Sequence, residues 1–254
     1  MWPVRAHRFG AWAVAFAIAA VTLDSLAQIS ISPVVIEIDT PRRAAAVSVT
    51  NSGERSITLQ SEALLWQQAD GQDQFEASDA LLVVPTIAHI PPNSTQIIRL
   101  MLRSPTPSAL ERSYRLVLED ITQAQAKTDG ASISFKFTHS LPVMIAPSGK
   151  VRNALRWKSC AIASGSSPEL TTPQPKEACV RLVNAGNRRI KMLSLVLTGN
   201  DWQQALSLKG DENILVGNER ELRVTLQAGQ TGPLRSVQVH TALGETLLAE
   251  SGGF

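Results

Sequence analysis

Beyond residue 27 the chain reads as short runs in which apolar and polar side chains alternate, broken every few residues by Gly, Pro, Asn or Asp. Alternation at period two marks a strand with one buried face, and helical periodicity is nearly absent. Ile29-Ser30-Ile31-Ser32 and Val35-Ile36-Glu37-Ile38 read as one strand kinked at Pro33, and residues 46–50 predict the next, stopped by Asn51-Ser52-Gly53. Residues 57–66 predict a third; a polar stretch around Asp70-Gly71-Gln72-Asp73 then leads to Leu81-Leu82-Val83-Val84, which Pro85 stops. Ile90-Pro91-Pro92-Asn93 turns the chain into residues 95–102, and residues 114–119 run on to a polar loop ending at Asp129-Gly130. The strand after it, over residues 131–145, is the longest. About seven strands in roughly 120 residues argue for an antiparallel sandwich of immunoglobulin type.

Pro147-Ser148-Gly149 breaks this pattern. Past it, residues 178–183, stopped by Asn184-Ala185-Gly186-Asn187, repeat the logic of Ala46 to Gly53, as if a second sandwich began there. Residues 190–198, 221–226, 236–241 and 245–249 supply its further strands, and the Ser, Thr and Pro content of residues 164–175 predicts a loop. The expected fold class is all-β, with two immunoglobulin-like β-sandwich domains over residues 28–148 and 149–254.

The composition changes the picture little: 44% of the residues are hydrophobic and 18% charged, with 24 Lys and Arg against 22 Asp and Glu. Basic residues are scattered and aromatic ones few, so nucleic acid is not an expected partner. The N-terminus is more informative. Arg5 and Arg8 precede the apolar run Ala11 to Leu23, Asp24 ends it, and Ser25-Leu26-Ala27 puts small residues where a signal peptidase cuts. That run falls short of the ~20 apolar residues a spanning helix requires. Residues 1–27 are expected to be a cleaved signal peptide, the alternative being a retained anchor, and the remainder an exported protein without stable membrane insertion.

Export permits a disulfide, and the only two cysteines, Cys160 and Cys179, suit a single bridge. A loop of this size contributes ~3 kcal/mol in the chain-entropy model. No metal or cofactor is expected: His7, His89, His139 and His240 are dispersed, and Asp70, Asp73 and Asp79 fit a solvated turn better than a calcium loop. The motifs of a secreted enzyme, such as Gly-x-Ser-x-Gly or His-Glu-x-x-His, are missing.

Within residues 131–145, Ile133, Phe135, Phe137, His139, Leu141, Val143 and Ile145 share one face, and Ser132, Ser134, Lys136, Thr138 and Ser140 share the other. One reading is a sandwich strand with its apolar row in the core. The other is a row that protrudes in part from the sheet edge to fill a groove in another protein, where main-chain hydrogen bonds add affinity and alternate side chains add specificity. His139 on this row reads as a partly buried imidazole rather than a catalyst.

Four motifs share an order and spacing. They are Ile90-Pro91-Pro92-Asn93-Ser94-Thr95-Gln96-Ile97-Ile98-Arg99-Leu100; Glu111-Arg112-Ser113-Tyr114-Arg115-Leu116 with Glu119-Asp120-Ile121; Ser140-Leu141-Pro142-Val143 with Ala146-Pro147; and Ser32-Pro33 with Ile36-Glu37. Together they resemble the periplasmic chaperones of bacterial pilus assembly. The resemblance covers almost the whole first domain, while the second matches only by position and strand character. It implies two immunoglobulin-like domains in an L-shaped arrangement, and a chaperone of the chaperone-usher pathway. Such a protein captures exported pilin subunits in the periplasm, completes their fold by lending a strand, and delivers them to an outer-membrane usher. It is a binding protein, not an enzyme.

The donor row that the resemblance implies is Ile133, Phe135 and Phe137, continued by His139 and Leu141. Burying three such side chains contributes ~5 to 9 kcal/mol before ordering costs. The best-known branch of the family anchors the pilin's C-terminal carboxylate with an Arg on the first strand and a Lys on the donor strand; this chain has Val35 and Pro142 there. Its Ser-Leu-Pro-Val ending resembles the branch associated with archaic pili and spore-coat-U-like subunits. Arg99 and Arg115 are the candidate replacement anchors, each otherwise a fold-supporting Arg paired with a local carboxylate. A donor strand without a client is an exposed apolar edge, which a self-capping dimer would cover. Two competing readings are a structural subunit or adhesin of the same organelle, and a chaperone-like protein serving a non-pilin partner. Two domains, with the first strand directly after the expected cleavage site, favour the chaperone over the subunit.

Overall fold

The computed structural model describes residues 29–39, 42–104, 106–122, 136–160, 177–208, 212–227, 230 and 232–252. The expected signal peptide, Ile133, Phe135 and the 164–175 loop lie outside these residues. The first unit is built from β1 Ile29–Ser32, β2 Ile36–Ile38, β3 Ala44–Asn51, β4 Ile57–Ala69, β5 Gln72–Ala77, β6 Leu81–Val84, β7 Ile87–Ile90, β8 Ser94–Leu102, β9 Arg112–Asp120 and β10 Thr138–Ile145. They form two facing sheets, β1-β3-β8-β6 and β2-β10-β9-β4-β5, with β7 beside β4. Alternation sends Val47 and Val49 of β3, Ile98 and Leu100 of β8, Leu59 of β4, Leu116 and Leu118 of β9, and Val143 and Ile145 of β10 into one core. Each such side chain contributes roughly 1.5–3 kcal/mol when fully buried, so this seam between the sheets is what holds them together.

One expectation needs correction, and another gains detail. Residues 29–38 are not one kinked strand, because β1 pairs antiparallel with β3 whereas β2 runs parallel to β10 in the opposite sheet. The chain changes sheets just after Pro33, which has no N–H to continue a ladder. The polar stretch at Asp70 is a hairpin turn: Asp70 and Gly71, at φ 52° and 72°, reverse β4 into β5. Positive φ at both central residues is the turn whose twist matches the flanking strands.

The second unit contains β11 Leu155–Ser159, β12 Glu177–Asn184, β13 Ile190–Gly199, β14 Gln203–Ser207, β15 Asn213–Ile214, β16 Glu219–Thr225, β17 Leu234–Thr241 and β18 Thr246–Ser251. Its strands follow one path, β14-β13-β17-β18-β11-β12-β16, with β15 beside β13. Trp157, Leu182, Leu195, Leu197, Val237 and Val239, from both limbs of that path, enclose a single second core. The path is therefore folded back on itself as a sandwich, its limbs joined by the parallel pair β11 and β18. The fold is all-β, with two immunoglobulin-like units. Cys160, just after β11, is bonded to Cys179 of β12, with the Cα atoms 5.0 Å apart.

The repeat between Asn51-Ser52-Gly53 and Asn184-Ala185-Gly186 has a structural cause. Asn51, 0% exposed, donates from Nδ2 to the carbonyls of Arg55 (2.7 Å) and Ile90 (3.0 Å) and accepts from the Gly53 N–H (3.0 Å). Asn184, also 0% exposed, donates to the carbonyls of Arg188 (2.8 Å) and Ile214 (2.9 Å) and accepts from the Gly186 N–H (2.9 Å). In each unit one buried amide closes a strand end and pairs main-chain groups that the sandwich would otherwise bury unsatisfied.

The units touch through polar and apolar contacts. Gln68 of β4 donates to the Asn213 carbonyl (3.0 Å) and accepts from the Leu215 N–H (2.9 Å). Trp66, Met144 and Leu215 form a small buried cluster beside this clasp. Arg220 donates to the carbonyl of Gly71 at the hairpin tip. On the other flank, Arg188 pairs with Glu37 of β2 and with Glu111, and Glu111 also accepts from the Arg189 N–H at 2.8 Å.

Candidate functional site

β10 pairs antiparallel with β9 over its whole described length, from Thr138 opposite Glu119 to Ile145 opposite Arg112. Its other side meets β2 only at residues 143–145. Among the described residues, the main chain of residues 138–142 thus has a strand on one side only. Such an edge is a template for one more strand.

The side chains divide this strand in two. Leu141, Val143 and Ile145 are buried in the first core, which is the core-strand reading. Phe137 packs against that core only in part, and the half-buried His139 continues the row with its ring 5.2 Å from that of Phe137. The accessible part of the row therefore starts at His139 and runs back through Phe137.

On the opposite face of the same sheet, Pro142 lies across from Arg115 of β9. Arg115 is 9% exposed; its guanidinium sits 3.9 Å from the centre of the Trp66 ring and 5.9 Å from that of Phe75, and Nη1 donates to the Ser140 carbonyl at 3.3 Å. Cation, aromatic platform and open strand edge are therefore neighbours. Arg99 is not part of this group: it stands exposed on β8 in the other sheet, between Ala46 and Val84. Val35 lines a hollow of about 480 Å³ between the units, together with Glu37, Arg188, Arg189, Leu243 and Leu247. Beside it, burial pushes the Glu111 carboxyl above its ordinary range, opposed by the Arg189 N–H and by the charges of Arg189 and Arg188. Burial likewise pushes Arg189 below its ordinary value.

The remaining polar clusters have structural partners. The sulfurs of Cys160 and Cys179 lie within 4.8 Å of a Glu221 carboxylate oxygen, but both belong to the disulfide, and Glu221 is paired with Arg181 and Arg223. No thiolate is left there to hold a metal. Asp73 accepts from Gln68 Nε2 at 2.7 Å, which ties β5 to β4. His89 and His240 each hydrogen-bond a threonine hydroxyl, Thr58 and Thr246.

Trp66 and Phe75 stand beside Arg115, and Met144 and Leu215 pack with Trp66, without forming a motif in the sequence. A signal was present in the alternation. In β4 the inward positions are Ile57, Leu59, Ala63 and Leu65, so Trp66 is a large aromatic on the polar side of the strand. Met144 likewise falls on the side of Ser140 and Pro142.

Residues 28–150 match the family model described as pili and flagellar-assembly chaperone, PapD N-terminal domain. No curated protein sequence matches the chain. Among solved structures it is similar to a chain of the CsuC-CsuE chaperone-tip adhesion subunit pre-assembly complex from archaic chaperone-usher Csu pili of Acinetobacter baumannii, with TM-score 0.65 and 16% identity over 89% of this chain and 100% of that one. It is also similar to a chain of the Salmonella enterica SafA pilin in complex with the SafB chaperone, with TM-score 0.55 and 14% identity over 86% and 92%. A third likeness, to the Pseudomonas aeruginosa CupB2 chaperone, has TM-score 0.51 and 16% identity over 86% and 97%. At these identities the likenesses establish the fold, and they do so across both units.

Proposed function

We infer that the chain, whose residues 28–150 match the family model of pili and flagellar-assembly chaperones with a PapD N-terminal domain, is a periplasmic chaperone of the chaperone-usher pathway that binds pilin subunits. The observation that carries the mechanism is the half-open edge of β10, which among the described residues has β9 along one side and β2 beside residues 143–145 alone. A subunit sandwich that lacks a strand exposes a hydrophobic groove and two unpaired edges, an aggregation hazard. Residues 138–142 offer it main-chain pairing, and the row Ile133, Phe135, Phe137, His139 and Leu141 offers side chains for the groove. The work is binding, driven by buried apolar surface, and needs no nucleotide.

Arg115 is the cation we assign to the subunit's C-terminal carboxylate, since it lies against β10 whereas Arg99 lies in the other sheet. The rest of the reading is delivery to an outer-membrane usher, export by a signal peptide over residues 1–27, domains over 28–148 and 149–254, and self-capping through the β10 edge when no client is bound. Co-expression with the pilin-like product of an adjacent gene tests it. A soluble one-to-one periplasmic complex is expected, lost when Phe135 and Phe137 become Arg. A Phe135→Arg chain that folds normally and still protects its subunit would overturn strand donation. A subunit that stays soluble while the chaperone purifies alone would overturn the assembly role.

A further inference from the structure

Arginine is a flexible side chain, and a guanidinium recognises a carboxylate sharply only when its plane is held in place. Here the holding group is visible. The Trp66 ring lies 3.9 Å from the Arg115 guanidinium, well inside the range at which an aromatic face attracts a cation, while Phe75, at 5.9 Å, is at its limit. Trp66 is 2% exposed yet belongs to neither main core. It packs instead with Met144 of β10 and with Leu215 of the second unit. Leu215 is in turn fixed by its N–H to Gln68, which stands two residues from Trp66 on the same face of β4. A buried indole on the outer face of a sheet, stacked on an arginine and packed with a leucine of the neighbouring unit, has the geometry of a platform.

We propose that Trp66 is the positioning residue for Arg115, and that the second unit takes part in client recognition by holding Trp66 through Leu215. This rests on the reading of Arg115 as the anchor. It goes beyond that reading in making selectivity for the charged chain end depend on two residues that do not touch it.

The test uses the full mature chain and two synthetic peptides with the C-terminal strand sequence of the pilin-like product of the adjacent gene, one ending in a free carboxylate and the other in an amide. Calorimetric titration of the wild type is expected to show a preference of about tenfold or more for the carboxylate, the worth of a charge-assisted hydrogen bond. Trp66→Leu cuts that preference to about threefold or less while the affinity for the amide peptide holds. Trp66→Phe, which keeps a ring, retains part of it, and Leu215→Ala lowers it in the same direction. If Trp66→Leu weakens both peptides equally and the preference stands, Trp66 is packing alone and the proposal is overturned. Should Trp66→Leu fail to fold, an unchanged preference in Trp66→Phe and Leu215→Ala overturns it in the same way. A wild type without preference, or a preference untouched by Arg115→Gln, removes the anchor assignment and this proposal together, and leaves strand donation by β10 standing.

Discussion

At the scale of single residues, Asn51 and Asn184 do one task in two places. Each donates to carbonyls on two different segments and accepts one N–H from its own turn. Replacing either by Ala leaves a buried carbonyl and a buried N–H without their partner, so Asn51→Ala and Asn184→Ala are each expected to destabilise their own unit by about 3 kcal/mol. Urea unfolding followed by near-ultraviolet circular dichroism measures this, and a loss below about 1 kcal/mol contradicts the role. The two asparagines were legible in the sequence as a repeated stop after an alternating run. Other residues were legible by type but not by place. Arg99 and Arg115 both interrupt apolar strands, and nothing local in either segment tells which sheet its strand will join; that choice belongs to long-range pairing. Trp66 could have been found by its parity in β4, but its partners Arg115 and Leu215 could not.

At the scale of elements, runs with strong alternation were readable and short or polar ones were not. The strands β3, β8, β9, β12, β13 and β17 follow their apolar rows closely. β5, exposed along its whole length, has no apolar row at all, and β14 and β15 are too short or too polar to show one. The misreading of residues 29–38 has the same origin: alternation gives the face a strand presents, not the sheet it enters. The bond between Cys160 and Cys179 ties β11 to β12, and the Cys160 N–H also donates to the Cys179 carbonyl at 3.0 Å. Changing both cysteines to Ser is expected to cost ~3 kcal/mol, confined to the second unit. Hydrogen exchange should therefore quicken in β11, β12 and β16 while the amides of β4, β9 and β10 keep their protection; equal loss in both units would show that the bridge acts on the fold as a whole.

For the whole molecule, the contact between units is the least legible feature, because Glu111 and Arg189, or Gln68 and Leu215, are far apart in the chain and meet only after both sandwiches have formed. Glu111 is 8% exposed at this seam, and burial raises its pKa. A carboxyl raised in the folded state binds its proton more tightly there than in the unfolded chain, so its contribution is most favourable below the unfolded value and is lost as pH rises through the folded one. Wild type should therefore gain stability relative to Glu111→Gln on going from about pH 7.5 to about pH 5, with Glu37, Arg188 and Arg189 as the other charges at the site. Chemical denaturation of both proteins at the two pH values checks the sign, and a constant difference refutes it. The two flanks of the seam are chemically unlike. Ion pairs fasten the β2 flank, Arg188 to Glu37 and Glu111, whereas the β4–β5 flank is fastened by the Gln68 amide and by Arg220 donating to the neutral Gly71 carbonyl. Dissolved salt screens the half-exposed pair of Arg188 and Glu37 and leaves a neutral amide clasp nearly untouched. A saltier medium is thus expected to act on the seam unevenly, weakening its β2 side before its β4–β5 side.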